Sequence, residues 1–297
     1  MSLKKISDIK LFEHLGAVEI DDLGRISRIR QIKEGEVIFK EGEKSKNIYF
    51  LLEGRIGIRK KISSGSKTIA IMRKGDIFGE MALFENAPRS ATAFAMAPSE
   101  ILDISGDDFE RFLSEKPEES FGILMKIIAV SSSRLRNMDR YFTTVYEIAL
   151  RIGACGNTEE LSGVVLEHIS NSLNITGSFF YSYDMYNDEY GCVKTHGSVK
   201  NTQPISSAQE IIKRLKTEKH LPLQNSDFGD AFCFLNDLTN EDGLIGFIGI
   251  LSGSEFSWED RVLIGTICNM ITPVISNLQM RQADMMKNRL EEKKWAL

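Results

Sequence analysis

The chain has 297 residues, of which 42% are hydrophobic and 27% charged; this balance excludes disordered and collagen-like classes and leaves length for two domains of about 150 residues each. Lys and Arg number 37 against 42 Asp and Glu, a net charge of −5, which argues against broad electrostatic binding to nucleic acid or to an anionic membrane. Cys155, Cys192, Cys233 and Cys268 form no C-x-x-C pair and have no His at ligand spacing, so neither a disulfide framework nor a metal site is expected.

The N-terminal MSLKKISDIKLFEHL breaks with Asp8 and Lys10 before any apolar core of a leader forms, and no uninterrupted 18-residue apolar run follows. A cytoplasmic protein with reduced thiols is expected. From Ile32 to Ile104 short strand-like runs alternate with turn signals, with glycines at 35, 42, 54, 75 and 79, the pattern of a small antiparallel roll. After Pro117 the pattern changes. Leu124, Ile128, Ser131, Leu135, Met138, Phe142, Val145, Ala149 and Ile152 follow at alternating steps of four and three. Such a 3.5-residue period predicts a coiled-coil seam and a parallel homodimer, and the alternative is a single amphipathic helix on its own domain.

Gly153 to Thr158 is a polar joint, after which helix and strand patterns alternate. Leu161–Leu173 has helical spacing. SFFYSYDMYNDEY and CVKTHGS read as strands, SSAQEIIKRLKTEK as an amphipathic helix, and AFCFLNDLT and GLIGFIGILSG as a buried strand pair joined by NEDG. A long helix is predicted from Trp258, ending in the charged tail MMKNRLEEKKWAL. The fold class is α+β, divided as 1–117 for the roll, 118–153 for a connector helix, 154–280 for a second α/β domain and 281–297 for a helical tail.

The most informative stretch is FGEMALFENAPRSAT, Phe78 to Thr92. Gly79 permits close backbone approach to a ligand, and free amides of a turn over Met81–Leu83 suit an anion. Arg89 brings forked donors that match phosphate oxygens, and Ser90 adds a hydroxyl. Glu80 has the sign to accept from a vicinal sugar hydroxyl. An acid for a sugar and a base for a phosphate describe a nucleotide monophosphate site. The competing reading is a Glu80–Arg89 salt bridge in a turn, worth about 0–1 kcal/mol if exposed.

This cassette, with the upstream GEVIFKEGE and IYFLLEGRIGI, resembles the phosphate-binding cassette of the cyclic nucleotide-binding domains of catabolite activators, protein kinase regulatory subunits and cyclic nucleotide-gated channels. The resemblance implies a double-stranded β-helix, a jelly-roll-like β-roll with flanking helices, over about Leu11 to Arg140. It implies further that Phe78, Gly79, Glu80, Met81, Ala82, Arg89, Ser90 and Ala91 bind a cyclic nucleotide. Gly79 and Ala82 would use backbone groups, Glu80 would hold the ribose 2′-OH, and Arg89 and Ser90 would take the cyclic phosphate. A hinge helix over Asp107–Leu113 would precede a lid, whose Arg134, Asn137 or Met138 would cover the base. Serine at position 90 leaves cAMP and cGMP open, with cAMP favoured by similarity to the bacterial activators. A degenerate, non-binding scaffold is the alternative.

Residues from about Asn157 to Asn277 resemble a GAF domain in their final unit, where a strand with Gly246 and Gly249 leads through Phe256 and Asp260 into a long helix. Asn236 is followed by Asp237 rather than by the Lys of cyclic nucleotide-binding GAF domains, and no Cys-His dipeptide marks a bilin site. A catabolite-activator helix-turn-helix over Val164–Phe180 would make the protein a transcription regulator, yet its second half lacks Lys and Arg. No P-loop, H-E-x-x-H or G-x-S-x-G occurs, and His14, His168, His196 and His220 are scattered. The reading is therefore of a non-enzymatic signalling protein with a cyclic nucleotide ligand, no nucleic acid or membrane partner, and an effector protein met by the GAF-like surface or by the helix around Trp295.

Overall fold

The computed structural model describes residues 15–63, 65–81 and 88–295, together with Ile6, Ile9 and Phe12. The chain divides into two compact units, Met1–Leu135 and Arg136–Leu297.

In the first unit helix α1 (Ala17–Ile26) precedes strands β1 (Ser27–Ile32), β2 (Val37–Phe39), β3 (Ile48–Glu53), β4 (Ile56–Ile62), β5 (Gly65–Met72), β6 (Ile77–Phe78), β7 (Thr92–Ala95) and β8 (Ser99–Ile104). These form two antiparallel four-stranded sheets, ordered β1-β8-β3-β6 and β2-β7-β4-β5, so the predicted roll is present. Along β3 the side chains alternate in direction, as strand pleating requires. Tyr49 and Leu51 point into the roll with Phe39, Ile56, Phe78 and Ile101. Ile48, Phe50 and Leu52 point outward against Leu23, Phe109, Phe112, Ile123 and Ile127 of the helices. Burial on both faces makes β3 almost continuously apolar. Helix α2 (Gly106–Glu115) begins where the Ser105 hydroxyl accepts from the Asp108 amide at 3.1 Å, a cap that satisfies a donor the helix leaves free.

Helix α3 runs from Pro117 to Ile152, with proline at the first position, where its missing N–H costs nothing. The expected seam is only partly free: Ile128, Leu135, Met138 and Phe142 are each more than half exposed, whereas Val145 and Ile152 pack into the core of the second unit. Phe121, Met125, Tyr146 and Leu150 extend the exposed stripe instead. A straight helix of 3.6 residues per turn drifts from a strict heptad, and the stripe follows the drift.

The second unit opens with α4 (Thr158–Ser172), capped by Asn157, whose side-chain oxygen accepts from the Glu160 amide at 2.9 Å. Strands β9 (Gly177–Asp184), β10 (Glu189–Gly197) and β11 (Ile205–Ser206), helix α5 (Glu210–Glu218), strands β12 (His220–Ser226), β13 (Gly229–Asn240) and β14 (Gly243–Ser252), and helix α6 (Trp258–Trp295) follow. The strands form one antiparallel sheet in the order β11-β10-β9-β14-β13-β12. One face carries Phe180, Phe234, Ile248 and Ile250 against α4 and α6; the other carries Phe179, Tyr181, Leu235 and Phe247 against Ile212 and Leu215 of α5. Gly249 makes the second layer possible, because a Cβ there would lie 2.0 Å from the Phe179 ring.

Ser178–Asp184 lies in β9, the strand expected there, so the alternative helix-turn-helix over Val164–Phe180 does not form; its aromatic residues fill the sheet. Two expectations change here. Strand β12 was not anticipated, because Pro222 and a polar end, Gln224 to Ser226, mask its alternation. Trp258–Met285 is long and apolar enough by composition to cross a membrane, with mean hydropathy 1.3. Its Leu263, Ile264, Ile267, Ile271, Ile275 and Leu278 are core residues of this unit, and a buried helix meets the same compositional test.

Candidate functional site

Arg89 is drawn inward. Its residue is only 4% exposed, and its guanidinium lies 4.2 Å from the Phe39 ring centroid and 5.6 Å from that of Tyr49. Three donors are occupied: Nε by Ser45 Oγ at 2.9 Å, Nη1 by the Gly79 carbonyl at 2.8 Å and Nη2 by the Asn47 carbonyl at 2.7 Å. A guanidinium has five N–H groups, so these three acceptors leave two of them, and the Tyr49 side chain also bonds to the guanidinium. The acceptors are all neutral. Burial pushes the guanidinium below its ordinary value, opposed by Tyr49, Glu43 and Asp103. Among the described residues no carboxylate touches it, and a buried cation so placed is costly unless an anion arrives.

Gly79 fits this arrangement for a steric reason. It has φ +80°, and a Cβ would fall 2.7 Å from Arg89 Nη1 and 3.1 Å from the Asn47 carbonyl oxygen. Backbone bonds tie the two loops together, from the Gly42 amide to the Arg89 carbonyl at 2.8 Å and from the Arg89 amide to the Glu43 carbonyl at 2.9 Å.

Glu80 is also buried, at 7% exposure, but its partner is Arg134 of α3, at 2.8 Å. Arg134 also donates to the Ile77 carbonyl at 2.7 Å and approaches the Met72 sulfur. The competing Glu80–Arg89 salt bridge does not form: the two residues hold separate partners.

Phe78 is buried and stacked on Tyr49, with ring centroids 5.2 Å apart, and Ala91 is buried. Met81 and Ser90 are exposed side by side, with Ser90 Oγ 3.9 Å from the Met81 sulfur. Ala82 and Leu83 of the Met81–Leu83 turn lie outside the described residues. Arg134 is brought to the cassette, while Asn137 and Met138 belong to the second unit and are exposed. Sequence reasoning missed Ser45, Asn47, Phe39 and Tyr49. They sit about 40 to 50 residues before Arg89, and nothing in their local pattern announces a guanidinium; only unsatisfied donors on a buried arginine would have prompted the search. Among the described residues no group of His, Cys, Asp and Glu could hold a metal ion.

Residues 29–116 match the family model of the cyclic nucleotide-binding domain. A cAMP-dependent protein kinase regulatory subunit of Mycosarcoma maydis is 33% identical over 115 residues, 37% of this chain and 22% of that protein. A cyclic nucleotide-gated potassium channel of Rhizobium etli is 31% identical over 113 residues, 38% and 30% of the two chains. The cyclic AMP receptor protein of Thermus thermophilus is 27% identical over 130 residues, 43% and 58%. In each case the match spans less than two thirds of the relative. The first unit therefore carries a cyclic nucleotide-binding domain of the catabolite activator and kinase regulatory subunit type.

Proposed function

We propose that the protein is a cytoplasmic, non-enzymatic sensor that binds a cyclic nucleoside monophosphate, cAMP in preference to cGMP, and relays its occupancy through α3 to the second unit. The observation that carries this reading is Arg89: a buried guanidinium oriented by three neutral oxygens, a charge with forked donors suited to a phosphate. Glu80 would take the ribose 2′-OH and Ser90 a phosphate oxygen. Phe78, Gly79, Met81, Ala82 and Ala91 would frame the ligand. The Arg134 bond to Glu80 gives α3 a direct stake in the site, so ligand contact at Glu80 would shift the helix by differential binding.

The second unit is read as GAF-like. That reading is supported by its six-stranded antiparallel order and by its first and last helices sharing one face. Aromatic side chains occupy the opposite layer, which favours a partner-binding role over a ligand pocket there. The exposed stripe on α3 supports a homodimer, with an effector protein met by the second unit or by α6. On this reading the domains divide as 1–117, 118–153, 154–280 and 281–297.

Calorimetric titration of the full chain with cAMP and then cGMP tests the reading. Saturable binding at micromolar affinity or better is expected, and Arg89→Ala should weaken it by about 2 kcal/mol or more, roughly 30-fold. Absence of binding in the wild type leaves only a non-binding scaffold. Sedimentation of the same samples should show a dimer, and a monomer removes that part of the proposal.

A further inference from the structure

We propose that Asp103 and Asn47 are positioning residues for the ligand phosphate, acting through Arg89; the inference rests on the cyclic nucleotide reading of the site. Asp103 lies on β8, between β1 and β3, opposite Arg28 on one side and Tyr49 on the other. Its side chain is 12% exposed, and both oxygens are engaged: Oδ2 accepts from Arg30 Nη1 at 3.0 Å and Oδ1 from Asn47 Nδ2 at 2.7 Å. The same Asn47 then presents its backbone carbonyl to Arg89 Nη2 at 2.7 Å.

A chain of contacts thus runs Arg30, Asp103, Asn47, Arg89. Asn47 lies in the irregular segment before β3, where a carbonyl would otherwise have no fixed direction. The Asp103 carboxylate, anchored on a central strand and charge-paired with Arg30, fixes the amide side chain and with it the carbonyl. The arrangement also solves an electrostatic problem. A carboxylate touching Arg89 would orient it but compete with the ligand for its charge. With Asp103 one residue removed, the guanidinium is oriented by a neutral oxygen and its charge stays available for phosphate, with the negative field only partly offsetting its burial. Neither residue belongs to the cassette.

The test is a set of cAMP titrations on the full-length protein. Asn47→Ala and Asp103→Asn should each weaken binding about tenfold, a coupling within the range of directly connected networks. In an Arg89→Lys background, which keeps a charge but lacks the fork that receives the Asn47 carbonyl, Asn47→Ala should change affinity by less than about twofold. Thermal unfolding without ligand identifies a variant that has lost its fold, and the Asp103→Asn variant then carries the comparison. Wild-type affinity in both single variants overturns the inference while leaving the nucleotide reading intact. An equal tenfold loss in the Arg89→Lys background also overturns it, because the effect would then not pass through the guanidinium fork. A wild-type chain that binds no cyclic nucleotide overturns the reading and the inference together.

Discussion

The two units spend their interiors differently. The roll buries Glu80 and Arg89 without pairing them with each other, and it uses Phe39, Tyr49 and Phe78 as a platform around the arginine. The six-stranded sheet buries Phe179, Tyr181, Phe228 and Phe247 against one another, with Phe179 and Phe228 stacked at 4.5 Å and Tyr181 and Phe247 at 4.9 Å. Two of its tyrosine hydroxyls are served by backbone carbonyls: Tyr181 donates to Gln203 and Tyr190 to Leu244. The contrast teaches where to look for a ligand. A layer of satisfied aromatics is complete in itself, whereas a buried charge held by neutral groups is finished only by a counter-charge from outside.

The largest expected effect falls on the aromatic layer. Phe247→Ala should destabilise the second unit by about 3–5 kcal/mol, since the cavity would sit between two packed layers that cannot close on it; chemical denaturation followed by circular dichroism measures this. A loss under about 1 kcal/mol would mean that the layer is loosely packed, which would break the contrast. Next, Glu80→Ala should leave stability within about 1 kcal/mol of wild type, because Arg134 is partly exposed and water can take the freed charge, while cAMP affinity falls about tenfold. The reverse pattern, large destabilisation with affinity kept, would make Glu80 a structural residue.

The smallest effect concerns Tyr141 of α3, which donates to Asp260 Oδ1 at 2.9 Å inside the second unit. Burial first, and the Asp260 bond second, push its phenol up to about 12. The native state therefore holds the proton more tightly than the unfolded chain, whose tyrosine titrates near 10. This contribution is whole below about pH 10 and is lost as the pH rises towards 12. Tyr141→Phe should cost about 1 kcal/mol at neutral pH and flatten that alkaline decline. Urea unfolding at pH 7 and pH 11 gives both numbers, and an unchanged alkaline slope would remove Tyr141 as its source.

Much of the roll was readable because its turns need glycine and its strands are short runs set between those turns. Gly35, Gly42, Gly54, Gly75 and Gly79 all have positive φ, where side chains with a Cβ are strained. The helices α3 and α6 were also legible from their apolar spacing. The face that α3 leaves open was not, because periodicity shows that a stripe exists but not which neighbours claim Val145 and Ile152. Strand β12 escaped for a related reason, since half of its side chains meet solvent and its pattern is weak.

What the sequence determined by itself was the chemistry of the cassette: a glycine that must let the backbone come close, a carboxylate and a guanidinium at fixed spacing. Only the tertiary structure decided which groups each charge meets. Arg89 takes its orientation from Ser45 and Asn47, and Glu80 takes its partner from α3. The physical reason is that local sequence sets backbone conformation and side-chain type, while the partner of a buried charge is supplied by whichever distant segment the closing of the roll brings within about 3 Å.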